Sequence, residues 1–314
     1  MEQHGRREAA SPRPQARRRR PRHTALGVVL GIIKWFFITL WTVLLVGICT
    51  ALVGLHFFKE YIDTVVTPNV EVRAEDYTMN LSSFIYYQDK ESGQWKEFQN
   101  IHGDENRILV EFKDMSKYLW QAAVAVEDKR FFQHEGVDWI RTLYAVKELA
   151  VGDGSQGGST ITQQVLKNMT DDDRPYVNRK VREIFRALEF EKNYTKNYIL
   201  EQYLNDIYLG QGCYGVQTAA QFYFGKDAKD LDLAESACII AITNNPSLYG
   251  PLYDVTYTRE DGTKVTPREL NKERQEMIID TMAKEDVINP KTGLPYITQA
   301  QAEAAGNLAP VIPE

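Results

Sequence analysis

The chain has few of the residues that build disulfide frameworks and metal sites. Its 314 residues include 3 cysteines and 5 histidines, and no two cysteines form a CxxC pair. The sequence therefore predicts neither a disulfide-rich scaffold nor a structural zinc site. A single bridge between Cys213 and Cys238 stays open as an alternative. Internal repeats are also absent from the sequence.

Charge is distributed unevenly along the chain. Residues 1–23 carry eight arginines and two glutamates, a local charge of +6. Because the net charge is −6, the remaining residues sum to −12. Such a basic arm suits phosphates or lipid head groups. Beside a membrane span, arginine more often sets topology than binds nucleic acid, so no nucleic-acid partner is predicted.

A long apolar segment follows the basic arm. Within residues 25–58, the 24 residues from Trp35 to Phe58 are uncharged. A spanning helix needs about 20 apolar residues, so we predict a transmembrane helix over 25–58 and a basic cytoplasmic tail over 1–24. A cleaved signal peptide is the alternative, but its apolar core is about 7–15 residues long. The part of the chain after the helix would then lie outside the cytoplasm.

The part after residue 58 divides by its periodicity. Residues 59–115 predict a juxtamembrane stalk with short strands, because SSFIYY (82–87) and NRILVEF (106–112) are rich in β-branched and aromatic residues. KESGQW, between them, indicates a turn. From Ser116, a predicted N-cap, the pattern is helical, and the fold class is mainly α with a small β-containing stalk. Helices are predicted from Thr160 and over 176–193, 196–208, 216–224, 233–241 and 267–284.

The stretch EDKRFFQHEGVD (127–138) begins with the acid Glu127, for which two roles are open. Glu127 falls at the border of an apolar helix stripe, and Phe131 and Phe132 come one turn later. A carboxylate that aromatic rings partly desolvate has its pKa raised, as a general base near neutral pH requires. A solvated helix end is the alternative. Asp128 points elsewhere on the helical wheel, so the two acids are not equivalent.

Two further stretches carry polar residues that suit an anion. Gly157, Gly158 and Ser159 precede a helix whose free N–H groups favour an anion, and Gln163 and Lys167 share one of its faces. A capped surface helix explains this pattern equally well. In the helix over 176–193, Glu183 lies opposite an apolar stripe, beside arginines. The residues alone favour a solvated charged face there over an acid in a basic cleft.

The order of five stretches is more specific than any one of them. They are EDKRFFQHEGVD (127–138), GGSTITQQVLKN (157–168), RKVRE (179–183), ILEQYLN (199–205) and GCYGVQTAAQFYFGK (212–226). Together they resemble the five ordered motifs of the peptidoglycan glycosyltransferases, the module of class A penicillin-binding proteins and of monofunctional transglycosylases. The resemblance covers about residues 75–285 and favours a functional role for Glu183 and for the helix after Ser159.

The resemblance implies a lysozyme-like, mainly α glycosyltransferase domain over 116–285, anchored in the cell membrane by one N-terminal helix. It implies inverting transfer from a lipid-linked glycan to lipid II, which forms a β-1,4 bond and releases undecaprenyl diphosphate. Lipid II, the growing glycan and the membrane are the implied partners, together with proteins of cell division or elongation. The basic residues near Glu183 agree with this reaction, because a diphosphate leaving group needs cations rather than a proton.

Roles carry over position by position. The resemblance makes Glu127 the general base and Glu183 the second acid, which stabilises the diphosphate directly or through a divalent cation, Mg or Mn. His134 and Asp138 would order the first motif. The residues implied to bind substrate are Lys167 and Arg174, at the diphosphate, and Ser159, Thr160, Gln163, Gln164, Asn168, Arg179 and Lys180, along the cleft.

Two other activities fit part of the pattern. A lytic hydrolase of the same fold would cleave glycan, but it has no diphosphate for the basic residues near Glu183 to hold. A non-catalytic cell-wall scaffold would need none of the acids. Residues 286–314 form a C-terminal segment. KTG at 291–293 occurs without any SxxK, so we expect either a monofunctional enzyme or, as the stretch 253–270 favours, the front part of a bifunctional protein whose transpeptidase domain follows.

Overall fold

The computed structural model describes residues 25–151, 157–170 and 176–306. The helices are α1 Ala25–Tyr61, α2 Lys117–Glu127, α3 Trp139–Val151, α4 Ile161–Thr170, α5 Tyr176–Asn193, α6 Lys196–Asp206, α7 Val216–Phe224, α8 Leu233–Ile242, α9 Pro246–Tyr249, α10 Pro267–Met282 and α11 Gln299–Gly306. The strands are β1 Ser83–Gln88, β2 Trp95–Ile101, β3 Asn106–Arg107, β4 Cys213–Tyr214, β5 Tyr257–Thr258, β6 Lys264–Val265, β7 Ile288–Asn289 and β8 Leu294–Pro295. The prediction of a mainly α fold with little sheet is confirmed.

The N-terminal unit, which ends at Ile62, is the apolar helix α1, and a π-helical turn follows over Ile62–Val66. The segment Leu26–Val66 is 41 residues long and contains an 18-residue stretch with a mean hydropathy of 2.4, so its length and composition allow it to cross a membrane. A signal sequence at the same place would have the same properties. The predicted apolar helix over 25–58 is confirmed, and it ends a few residues later than the sequence predicts. The predicted tail, 1–24, lies outside the described residues.

The second unit, from Asp63 onward, is built around α8. All ten residues of this helix are buried, and it packs against α2 and α10. A capping box fixes its start, because the Asp232 side chain accepts from the Glu235 N–H while the Glu235 carboxylate accepts from the Asp232 N–H. Helix α4 packs against α5 and α6 on another side of the unit. The core is therefore a layer of helices around one short apolar helix.

The predicted stalk is not separate from the helical domain. Residues 63–115 belong to the same unit as the helices. Backbone groups of this segment bond to side chains of α6, with the Asn205 amide both accepting from Val110 N (3.1 Å) and donating to Val110 O (2.9 Å). The Arg107 guanidinium also pairs with the buried Asp206 at 3.2 Å. The segment before Ser116 is therefore held against the helical domain by side chains of α6.

The strands of this segment differ in part from the prediction. β1 forms where SSFIYY predicts it, but its antiparallel partner is β2, which begins inside the predicted turn. Of the stretch NRILVEF, only Asn106–Arg107 forms a strand, and it pairs in parallel with β4. The rest of that stretch finds its hydrogen bonds on side chains of the helical domain, so no sheet is needed to satisfy its backbone.

Two sequence details near the helices also come out differently. Ser116 stands at the N-cap position of α2, but its hydroxyl donates to Leu231 O at 2.8 Å and does not cap the helix. Cys213 and Cys238 are both free and buried, so the open alternative of a bridge between them is not realised. Burial raises the pKa of each thiol to about 12, which makes both unreactive at neutral pH.

Candidate active site

Glu127 ends helix α2, and two neutral donors face its carboxylate. Gln164 Nε2 donates to Oε2 at 3.2 Å, and Thr243 Oγ1 lies 3.3 Å from Oε1. The Arg141 guanidinium donates to the backbone carbonyl of the same residue. The side chain is half-buried, so it can be reached from outside. These contacts hold a carboxylate in one orientation without pairing it to a cation.

Asp128, the next residue, is wholly buried and has a different task. Its carboxylate lies 3.1 Å from His134 Nε2 and accepts from Ile161 N, the first N–H of α4, at 3.1 Å. An anion at a helix N-terminus is favourable for the helix dipole. Asp128 therefore joins the first stretch to α4, and the predicted difference between Glu127 and Asp128 is confirmed. Contact with Asp128 is what an ordering role for His134 requires.

Asp138 closes the same loop. Arg130 Nε and Nη2 donate to its two oxygens, each at 2.8 Å, and Arg141 N donates to Oδ1 at 2.9 Å. Burial opposes ionisation of this carboxyl, but the Arg130 hydrogen bonds outweigh it and hold the pKa of Asp138 below its usual value. Asp138 thus stays charged and caps α3, the contact expected of a residue that orders the first motif.

The rings of Phe131 and Phe132 pack against each other and against side chains of other elements. Their centroids lie 5.2 Å apart, and Lys196 Nζ stands 4.2 Å from the Phe131 centroid. Gln164 and Thr243 lie within hydrogen-bonding distance of the Glu127 carboxylate. The polar contacts of the base candidate therefore come from α4 and from the end of α8.

Thr160 and Gln163 fix the start of α4. Thr160 N donates to Gln163 Oε1 at 3.0 Å, and Gln163 N donates to Thr160 Oγ1 at 3.2 Å, which is a reciprocal cap. Thr160 Oγ1 also donates to Gly136 O at 2.7 Å. A Cβ on Gly136 would lie 2.3 Å from Ala187 O, and its φ is +81°, so glycine lets the first stretch pass against α5.

Glu183 faces cations, unlike Glu127. Its carboxylate lies 3.3 Å from Arg179 Nε and 3.2 Å from Lys180 Nζ. Lys180 Nζ also donates to Ser159 Oγ at 2.8 Å and lies 3.4 Å from Gln163 Oε1. One ammonium group therefore joins the glycine-rich turn, α4 and the second acid, and this corner of the site is basic.

The charged face of α5 is buried, contrary to what its residues alone favour. Arg182, Glu183 and Arg186 are 1%, 6% and 7% exposed, whereas Val181 and Leu188 of the apolar stripe are only half-buried. Arg186 Nη1 donates to Thr170 Oγ1 at 3.2 Å. Because α5 turns its charges toward α4, hydrophobic periodicity points to the wrong face.

The remaining predicted residues divide into three cases. Lys167 is exposed, and within the described part of the chain its ammonium group has no hydrogen-bonding or ionic partner. Asn168 Nδ2 donates to Asp206 Oδ2 at 2.8 Å, so this amide is tied to α6. Arg174 lies outside the described residues.

The sequence of this chain is similar to the sequences of known proteins. The family model described as Transglycosylase matches residues 94–283. This chain belongs to the transglycosylase family. Penicillin-binding protein 4 of Bacillus subtilis is 36% identical over 240 residues, which are 72% of this chain and 37% of that protein. Penicillin-binding protein 1A of Vibrio cholerae is 40% identical over 215 residues, 68% of this chain and 23% of that protein.

A crystal structure of penicillin-binding protein 1A from Haemophilus influenzae matches with a TM-score of 0.39 and 22% identity, over 75% of this chain and 22% of that chain. The chain thus spans well under half the length of these relatives. The resemblance on the five stretches is confirmed, because the matched range contains all of them and makes 94–283 the transglycosylase module of the chain.

The described residues of this transglycosylase do not fit a divalent cation held by protein ligands alone. They contain no group of three or more His, Cys, Asp or Glu side chains that could hold a metal ion. Glu183 is one carboxylate between two cations, whereas Mg²⁺ and Ca²⁺ need several oxygen ligands. The expected cation stays a prediction.

Two contacts of the transglycosylase site have no signal in the sequence. Thr243 follows an apolar helix and precedes Asn-Asn-Pro, a context that predicts a loop. Arg141 lies in the stretch 139–151, whose pattern suits either the membrane interface or an ordinary amphipathic helix and indicates no contact with Glu127. Both reach Glu127 through tertiary packing, from positions 116 and 14 residues away.

Proposed function

We propose that the chain polymerises lipid II into β-1,4-linked glycan strands, by inverting transfer with release of undecaprenyl diphosphate. In this proposal, Glu127 accepts the proton of the acceptor 4-hydroxyl as it attacks the anomeric carbon of the donor. The C–O bond to the diphosphate breaks on the opposite side. The diphosphate leaves as an anion, so this side of the reaction needs cations and no general acid.

The observation that carries this proposal is the contrast between the surroundings of the two acids. Neutral donors face Glu127, whereas Arg179 and Lys180 face Glu183. A general base must be free to take up a proton, which a close cation would disfavour. A departing diphosphate needs positive charge, and a hydrolase has no such group to hold.

Helix α4 supports the same assignment of the two sides. Gln164 bonds to Glu127 and the preceding residue, Gln163, lies beside Lys180. In the proposal, the reacting sugars cross this helix, with the diphosphate near Lys180 and the exposed Lys167. Arg174 joins them as a further cation, and Ser159, Thr160 and Asn168 shape the cleft.

A membrane location suits a lipid-linked substrate. Helix α3 exposes Trp139, Ile140, Leu143 and Tyr144, at 58%, 56%, 72% and 63%. A row of exposed apolar and aromatic side chains on an amphipathic helix is suited to the membrane interface. Together with α1 and the arginines before it, this supports a single-pass protein with a cytoplasmic N-terminus and an extracytoplasmic catalytic domain. Partners from cell division or elongation belong to the same proposal.

The test is polymerisation of lipid II in detergent by the wild type and by Glu127→Gln, side by side. The amide keeps the size and hydrogen-bonding shape of the side chain but cannot accept the proton. We expect polymer from the wild type and a loss of about 10²–10⁴-fold in the variant. Glu135→Gln is the matched control, because Glu135 is an exposed acid in the same loop.

The other outcomes separate the alternatives. Polymer from both Glu127 forms would keep the enzyme class and return Glu127 to a structural role. No polymer from a folded wild type would favour the scaffold. Release of short muropeptides from purified cell wall would instead favour the lytic hydrolase.

A further inference from the structure

Thr243 contributes a contact to Glu127 that lies outside all five sequence motifs. Its Oγ1 lies 3.3 Å from Glu127 Oε1 and 2.9 Å from Ile240 O. The residue is the C-cap of α8, with φ −55° and ψ −35°. The hydroxyl therefore stands between a helix-end carbonyl and the carboxylate of the base candidate.

The support of this hydroxyl is rigid. Every residue of α8 is buried, and the helix packs directly against α2, which ends at Glu127. Threonine is β-branched, so few χ1 rotamers are open to it. A side chain on such an element is positioned more precisely than one on a loop.

The Thr243 hydroxyl can bond to Glu127 in both the charged and the protonated form of the carboxyl group. It has one O–H to donate. Ile240 O already accepts from Thr243 N at 3.2 Å, so the hydroxyl can turn to a charged carboxylate without leaving that carbonyl unsatisfied. Once Glu127 has taken up a proton, the hydroxyl donates to Ile240 O, and its lone pair accepts the new carboxyl O–H.

We propose that Thr243 is a positioning residue for Glu127, which holds Oε1 in both protonation states while Gln164 holds Oε2. This inference rests on the proposed role of Glu127 as the base. The carboxylate is gripped from α4 on one side and from α8 on the other, which fixes its plane toward the acceptor hydroxyl. General-base catalysis depends on such geometry before it depends on acidity.

The charged surroundings of Glu127 stay the same when Thr243 is changed. The last turn of α8, Ile239–Ile242, has no ionisable side chain. Around Glu127, Asp128 and Lys129 are the next residues in the chain, Arg141 of α3 donates to the Glu127 carbonyl, and Tyr203 of α6 lies near both Glu127 and Arg274 of α10. A difference between variants at position 243 therefore reports the hydroxyl.

The experiment compares Thr243→Val with Thr243→Ser in lipid II polymerisation across the acid limb of the rate profile. Valine keeps the shape and loses the hydroxyl, whereas serine keeps the hydroxyl. The charge-assisted bond to the carboxylate is the stronger of the two bonds described above, so its loss favours the protonated acid. We expect the acid limb of Thr243→Val to move upward by about one pH unit, or about tenfold in rate on that limb. Thr243→Ser should keep the wild-type limb.

An acid limb at the wild-type pH in Thr243→Val would overturn the proposal. Equal shifts of the acid limb in the valine and serine variants would also overturn it, because they would indicate an effect of packing alone. The pH dependence of carbodiimide labelling of Glu127, mapped by peptide mass, gives a second readout that needs no activity. Its midpoint should move upward in the valine variant only. If the wild type makes no polymer but this midpoint moves, the proposed function fails and the Thr243 contact stands. A thermal melt in detergent shows whether each variant is folded.

Discussion

Gln164 Nε2 donates to Glu127 Oε2 at 3.2 Å, so helix α4 holds one carboxylate oxygen of the candidate base. The preceding residue on the helix, Gln163, has its Oε1 3.4 Å from Lys180 Nζ, which pairs with Glu183. Neighbouring residues on a helix point about 100° apart, so one turn of α4 contacts Glu127 directly and Glu183 through Lys180. This helix sets the distance between the side that takes up a proton and the side that holds negative charge.

A charge placed at Gln164 tests the first of these contacts. Gln164→Glu keeps the shape of the side chain but puts a like charge beside Glu127, which disfavours its ionised form. We expect the acid limb of polymerisation to move upward by about one pH unit or more. Gln133→Glu adds the same charge at an exposed position in the first motif and should leave the limb in place. Equal profiles for both variants would show that Gln164 does not face the base in solution.

Lys180 joins Ser159 and Glu183 on the basic side of the site. Lys180→Met keeps the apolar stem but removes the bonds to Ser159 and Glu183. Loss of a donor that faces developing charge costs about 10²–10³-fold in rate, and we expect a fall in kcat/KM of that size. Lys192→Met is the control, because Lys192 lies on the same helix with its side chain 68% exposed. Steady-state polymerisation decides the matter, and a loss of threefold or less would remove Lys180 from the site.

The sequence predicts the elements of this protein better than the faces they bury. Helices α5 and α7 begin and end at the residues that periodicity indicates. On α5, however, the face with Arg182 and Glu183 is the buried one. Periodicity assumes that apolar residues face inward, and a site that needs buried charge violates this assumption.

The sequence pattern also does not predict which distant side chains a segment contacts in the folded protein. The stretch NRILVEF has β-forming residues, but after Asn106–Arg107 its backbone bonds to side chains such as Asn205 and Thr218 rather than to a strand. Thr243 reaches Glu127 only because α8 packs against α2. The ordered motifs identify the acids, whereas the groups that orient them depend on the packing of helices far apart in sequence.

The ionisation of Asp138 makes the free energy of unfolding depend on pH in the acid range. Its pKa is depressed in the folded protein, so its contribution is present above the unfolded pKa, near 3.9, and is lost as pH falls through the folded value. Asp138→Asn should lower the free energy of unfolding at neutral pH by about 1–3 kcal/mol, since a hydrogen-bonded charged pair with Arg130 is broken. Denaturant unfolding in detergent, followed by tryptophan fluorescence, should show a smaller difference near pH 3. A difference that is constant with pH would contradict this account.

Gly136 is the position at which the backbone of the first motif leaves no room for a side chain. Gly136→Ala would place Cβ 2.3 Å from Ala187 O at a φ of +81°, so either α5 or the loop must move. Both the clash and the left-handed conformation destabilise the fold, and we expect a loss of about 1–3 kcal/mol together with a loss of polymerisation. Gly103→Ala is the matched control, because nothing lies within 4 Å of its Cβ position. Normal thermal stability and activity in Gly136→Ala would mean that the loop does not pass against α5 as described, and the link from Thr160 through Gly136 to α5 would then be wrong.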